Sequence, residues 1–246
     1  MKKKYILSLF FSLFSFLFSF AQDLVITGVF DGPNSGGTPK GVELFVLNDI
    51  EDLSAYGLGS ANNGGGTDNE EFTFPADAFN SGTFIYVSSE ETQFTSFFGF
   101  SPSYTTSVLS VNGDDAIELF YDGLVVDIYG DIDTDGNGED WEYLDGWAYR
   151  NNDTGPDGSD FEVDNWTFSG VNKLEGGSTN AECINPFPLG TYSKSPPPAT
   201  VEVTFALNTE LISETLVDNI SGSDLFTDGP NATWTDVFVS TTLSDG

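Results

Sequence analysis

The chain has no histidine, a single cysteine and only 7 Lys+Arg against 39 Asp+Glu in 246 residues. Without imidazole there is no Ser-His-Asp triad, no Cys-His nucleophile, no His-ligated zinc and no His acid–base pair. With Cys183 alone, neither an intramolecular disulfide nor a four-cysteine zinc cage can form, so stability has to come from packing, with or without bound ions. Long apolar runs are also scarce. The length allows one full domain and part of a second.

The long apolar run lies at the start. Lys2, Lys3 and Lys4 precede apolar residues 5–18, and Ser19-Phe20-Ala21 supplies a small-x-small cleavage site, the layout of a secretory signal peptide over residues 1–21. The run is shorter than the roughly 20 apolar residues of a spanning helix and is broken by Ser8, Ser12 and Ser15, so cleavage is expected rather than stable membrane insertion. Cleavage removes three basic residues and no acid, leaving four against 39 and a formal charge of −35. Such a field repels phosphate backbones unless a basic patch overrides it, and Lys40, Arg150, Lys173 and Lys194 are too dispersed to form one. Direct nucleic-acid binding is therefore not expected. Outside the cell the same acids meet millimolar divalent cations, and low-affinity calcium sites would relieve their repulsion.

After the leader, short alternating runs are separated by Gly, Asn, Asp and Ser clusters, as in an antiparallel all-β domain. Strands are predicted at 24–30, 42–47, 71–74, 83–88, 116–121, 124–129, 147–150 and 166–169. Asp122-Gly123 between two β-rich runs is a type I′ hairpin signal. One short connector helix is predicted, with Ser88 and Glu91 as a capping box, Phe94 and Phe98 at i, i+4 and Gly99 as the stop. These elements make a β-sandwich over residues 22–193. Trp141, Trp147 and Trp166 are read first as packing, with a sugar-stacking platform as the alternative. Lys194-Ser195-Pro196-Pro197-Pro198-Ala199 is a stiff linker. Residues 200–246, with strands expected at 200–207 and 235–241 and a terminal Asp245-Gly246 turn, read as an incomplete second β module.

Several segments together resemble the lamin-tail domain family in its bacterial secreted branch. They are Asp23-Leu24-Val25-Ile26 opening the first strand, Gly41-Val42-Glu43-Leu44-Phe45-Val46-Leu47-Asn48, residues 52–58 and 83–88, Asn112-Gly113-Asp114-Asp115-Ala116-Ile117-Glu118-Leu119, and Val126-Asp127. Their order and spacing cover about residues 23–192. The resemblance implies an immunoglobulin-like sandwich acting as a non-catalytic module in secreted or surface proteins, often beside hydrolase domains.

One stretch departs from the simplest pattern of that family. Asp131-Ile132-Asp133-Thr134-Asp135-Gly136-Asn137-Gly138-Glu139-Asp140-Trp141-Glu142 reproduces the D-x-D-x-D-G-x5-E spacing of a calcium loop. Asp131, Asp133 and Asp135 would converge on the ion, Asn137 would offer its carbonyl and Glu142 both carboxylate oxygens. Gly138 stands where a hydrophobe normally packs, and strands flank the loop, so this is not an EF-hand; the alternative is a solvated acidic turn. The expected function is an exported, non-catalytic binding or spacing module for a surface polymer, glycan or protein, with calcium as its candidate cofactor. Two alternatives stay open: the accessory front end of a secreted hydrolase, and a carbohydrate-binding module using Tyr143, Trp147 and Tyr149.

Overall fold

The computed structural model describes residues 22–195 and two short strands beyond them, Thr215–Val217 and Asp224–Thr227. The leader, the triple proline and the strands expected at 200–207 and 235–241 lie outside the described residues. The two C-terminal strands pair antiparallel with each other in a unit of their own.

In the first unit ten strands form two sheets. The six-stranded sheet has β1 (Leu24–Asn34) and β2 (Thr38–Val46) at its centre. On the β1 side follow β9 (Trp147–Arg150) and β10 (Trp166–Phe168), and on the β2 side β5 (Phe84–Ser88) and β6 (Tyr104–Thr105). The second sheet runs β4 (Phe72–Thr73), β3 (Tyr56–Ala61), β7 (Ala116–Tyr121) and β8 (Leu124–Tyr129). Among the described residues the first unit is thus a β-sandwich with one α-helix. The expectation of a wholly antiparallel arrangement needs correction at one edge: β6 pairs parallel with β5, because α1 (Thr92–Phe98) and its flanking turns carry the chain back before it rejoins the sheet.

Alternation along the strands fills the space between the sheets. Leu24, Ile26 and Val29 of β1, Val42, Leu44 and Val46 of β2, Leu58 of β3 and Ile117 and Leu119 of β7 share one core. Strict alternation would send residue 28 inward, but Thr27 and Gly28 both stand opposite Glu43 in a β-bulge. The bulge shifts the inward position to Val29. The predicted hairpin is present, with Asp122 at φ 47° and Gly123 at φ 74°.

The other face of the six-stranded sheet is also covered. Val25, Phe30, Trp147 and Tyr149 point away from the first core and meet Phe94 and Phe97 of α1 (Thr92–Phe98) together with Leu174, Cys183, Phe187 and Tyr192. Burying each of the two helix phenylalanines is worth roughly 2 kcal/mol. The domain is therefore layered as sheet, sheet, and a cover of helix and C-terminal strap. The capping box expected at Ser88 does not form. Ser88 belongs to β5 and its hydroxyl donates to the Lys40 carbonyl at 2.8 Å. Glu90 receives the first-turn N–H groups of Gln93 at 2.7 Å and Phe94 at 3.2 Å in its place. Gly99, at φ 84°, ends the helix as expected.

Glu43 pins the strap. Its side chain is fully buried in the second layer and accepts from Thr27 Oγ1 at 2.8 Å, Tyr149 OH at 2.7 Å and Gly190 N at 2.8 Å. Burial pushes its carboxyl above the ordinary range, and these donors oppose the shift. The Tyr149 hydroxyl in turn accepts from Thr191 N and Tyr192 N, each at 2.9 Å. Replacing Tyr149 by Phe removes a donor from a buried carboxylate and orphans two backbone N–H groups, which should cost about 2 kcal/mol. Urea melts measure that loss. Faster amide exchange at Thr191 and Tyr192 should accompany it; unchanged exchange there would show that the hydroxyl does not hold the strap.

Candidate functional site

Beyond the β8 edge the sandwich is closed by two loops, 130–146 and 151–165, and a cleft of about 580 Å³ opens between them. Ile128 ends its floor from β8, with Trp141 and Phe161 from the two loops and Ile132 and Val163 on the walls. Five carboxylates, those of Asp131, Asp133, Glu139, Asp140 and Asp160, line the rest with Ser159. No cation is among the lining residues.

The first wall is fixed by the aromatic core beneath it. Tyr129 is fully buried and donates its hydroxyl to the Trp141 carbonyl at 2.5 Å. Its ring meets Trp141, Tyr143, Phe161 and Trp166 edge-on. Tyr143 N donates to the Gly113 carbonyl at 2.6 Å and anchors the far end of the loop. The second wall is fixed by a buried charge cluster. Arg150, 1% exposed, donates Nη2 to both oxygens of Asp127 at 2.8 and 2.9 Å and Nη1 to Asp157 at 2.5 Å. Asp157 N donates to Asp127 Oδ1, Asn165 Nδ2 to Asp157 Oδ1, and Gly158 N to the Val126 carbonyl.

That cluster also completes the sheet. At Ile26 the end of β9 leaves a strand edge open, and side chains take the place of a partner strand. Asp127 Oδ2 accepts from Ile26 N at 2.8 Å and Arg150 Nε donates to the Ile26 carbonyl at 2.6 Å. The guanidinium carbon lies 4.4 Å from the Trp166 ring centre, a cation–π contact in a desolvated site. Burial pushes the Asp127 carboxyl up, and the Arg150 guanidinium opposes the shift. Gly155, at φ 62°, crosses so close to the guanidinium that a Cβ there would overlap it.

Of the residues expected to hold calcium, Asp131 and Asp133 face the cleft. Asp131 accepts from Asp133 N at 3.0 Å and Thr134 Oγ1 at 2.8 Å. Asp135 accepts from Asn137 N at 3.0 Å, Asn137 is exposed, and Glu142 accepts from Gly138 N at 2.9 Å. Asp135 and Glu142 lie on the Asp114 side, where burial first and then Asp115, Asp135 and Glu142 push the Asp114 carboxyl up. Among the described residues no group of three or more His, Cys, Asp or Glu is arranged to hold a metal ion.

The aromatics considered for sugar stacking are interior. Tyr143, Trp147 and Tyr149 are at most 6% exposed, as are Trp141 and Trp166. The wall from Ser159 to Val163 was not singled out by sequence, because it has neither periodicity nor a ligand spacing. The one signal it carried was an acid beside an aromatic, Asp160-Phe161. No protein family, curated protein or solved structure matches the chain.

Proposed function

We propose that the chain is an exported, non-catalytic β-sandwich module of the lamin-tail kind, immunoglobulin-like in arrangement, that binds at or spaces from a cell surface through its acidic cleft. The observation that supports this most is where the charged groups go. Among the deeply buried ones, Asp127, Arg150 and Glu43 are committed to joining strands and fastening the strap, whereas the cleft carboxylates stand on a solvent-facing cavity of ligand size, inside the range of about 300–1,000 Å³ usual for binding sites. A leader on residues 1–21 and a strongly acidic surface suit an extracellular setting.

The test is to present the purified chain with a panel of surface polymers, glycans and exported proteins, and to assay it alone against phosphodiester, phosphomonoester and glycoside substrates. Binding without turnover is expected. Turnover by the chain alone would replace this reading with an enzymatic one.

Calcium rests on spacing alone in this reading; Asp131 and Glu142 accept hydrogen bonds from the loop and keep lone pairs for an ion. If it binds, millimolar calcium raises the melting temperature by ligand linkage and Asp133→Ala abolishes the rise. A melting temperature indifferent to calcium removes the ion from the proposal.

A further inference from the structure

We infer that Lys40 and Asn112 become joined by an intramolecular isopeptide bond, the Lys40 amine displacing ammonia from the Asn112 carboxamide with Asp31 as the proton acceptor. None of these residues lines the acidic cleft, so the cross-link is independent of what binds there.

Three side chains meet at this point. Lys40 of β2 pairs directly with Asp31 of β1 in the sheet register, and its Nζ donates to Asn112 Oδ1 at 2.8 Å across 72 residues of chain. Asp31 is 1% exposed and Lys40 8%, so the amine and the carboxyl share a site largely closed to water. Gly37 packs onto both: a Cβ there would stand 2.6 Å from Asp31 Oδ1 and 3.0 Å from Lys40 Nζ. Asp115 fixes the backbone of Asn112, accepting from its N–H at 2.6 Å and donating its own N–H to the Asn112 carbonyl at 3.1 Å. Asn112 itself is exposed, which leaves ammonia a way out.

A simple ion pair would bring the two charges into contact. Here Lys40 Nζ lies closer to the amide oxygen than to Asp31 Oδ1, which is 3.5 Å away. That carboxylate oxygen is buried and has no hydrogen-bond partner among the described residues, an arrangement suited to receiving a proton from the amine beside it. Burial raises the Asp31 carboxyl to about 6, which makes it the stronger base for that transfer. The reaction needs no further reagent. Asp31 takes one proton from the Lys40 ammonium, and the freed lone pair forms the Nζ–Cγ bond while the carbonyl π pair moves onto Oδ1. Asp31 passes its proton to Nδ2 and takes a second from Nζ. The pair on Oδ1 then re-forms the carbonyl, the Cγ–Nδ2 bond breaks and ammonia leaves, with nothing oxidised or reduced. Holding the amine against the amide supplies the proximity that free side chains lack.

The product ties β2 of the six-stranded sheet to the segment that leads into β7 of the other. With a single cysteine the chain has no disulfide for that task, and a cross-link closing a long loop restricts the unfolded chain in the same way.

The experiment is digestion of the purified full chain after glutamate, followed by tandem mass spectrometry. Lys40 lies in the fragment ending at Glu43 and Asn112 in the fragment of residues 92–118. The two should appear as one branched species, lighter than their sum by one ammonia. The branch point is the readout, because Gln22 as a new N-terminus and the Asn112-Gly113 pair each lose ammonia when they cyclise. Lys40→Arg keeps the charge without the nucleophilic amine; it should abolish the branched species and lower the melting temperature by roughly 10 °C. Asp31→Asn should fold with Lys40 and Asn112 unjoined. Recovery of the two fragments separately from the folded wild-type chain overturns the proposal, whatever the variants do. A branched species that persists in Asp31→Asn overturns the role of Asp31, and a branch from Lys40 to any other residue overturns Asn112 as the acceptor.

Discussion

Replacing Arg150 by Met is expected to cost about 3–5 kcal/mol of folding stability, the usual result of removing one partner from a buried ion pair. The guanidinium is the cation for two carboxylates, those of Asp127 and Asp157, and it also bonds the Ile26 carbonyl. Methionine fills much of the volume but leaves both acids buried without a counter-charge. Lysine should rescue little, because a single ammonium cannot make the bidentate contact to Asp127 and also reach Asp157 and the backbone. Adding Asp127→Leu to Arg150→Met should recover part of the loss, since a hydrophobic pair tolerates the site better than an isolated charge. Recovery stays incomplete because Asp127 also accepts from Ile26 N and Asp157 N. Urea denaturation of the three variants measures this. A loss below about 1 kcal/mol for Arg150→Met would mean that the cluster does not close the sandwich edge.

Acidification from about pH 7 to about pH 5 should stabilise the protein. Burial raises the Asp31 carboxyl from 3.8 to about 6. Its ion-pair partner among the described residues, Lys40, stands 3.5 Å away and also bonds Asn112, and the Asp145 N–H reaches Asp31 at 3.3 Å. The folded state therefore holds this proton more tightly than the unfolded chain. Below 3.8 both states are protonated. As pH rises from there to about 6, the unfolded chain ionises first and stability falls. The whole window is worth about 3 kcal/mol, of which about 1 kcal/mol lies between pH 7 and pH 5.

Glu43, Glu118 and Asp145 are pushed up by burial and act in the same direction. Asp52 and Glu182 are held low by hydrogen bonds from Ser54 and Ser178 and act against it. Both are exposed, so their opposing effect is small. Denaturant midpoints at the two pH values give the sign. Asp31→Asn should flatten the dependence, and a wild-type protein that loses stability over this interval would contradict the assignment.

The strands most legible in the sequence were those whose alternation and turns agreed. Residues 116–121, 124–129 and 147–150 are strands as expected, since Asp122-Gly123 fixes the register of the first two and β-branched or aromatic residues fill all three. β3 was missed. Its Tyr56-Gly57-Leu58-Gly59-Ser60-Ala61 looks like a loop because two glycines interrupt it. They are required by what lies above them: the Glu70 side chain covers Gly57 and the Asn69 carbonyl covers Gly59 where Cβ atoms would be. That is a tertiary constraint with no local trace. The acidic loop was legible as a list of oxygen ligands, but spacing specifies which residues can converge, not whether the folded loop brings them together.

Composition and pattern, taken alone, determined that this chain is β-rich, acidic, without imidazole chemistry and without a disulfide, because those properties are local or additive. Three features needed the folded chain: the second cover over the six-stranded sheet, the use of Arg150 as a substitute strand edge, and the meeting of residues 128–141 with 159–163 in one cleft. Each depends on groups far apart in sequence being desolvated together, and the cost or gain of that desolvation exists only once the sheets have packed.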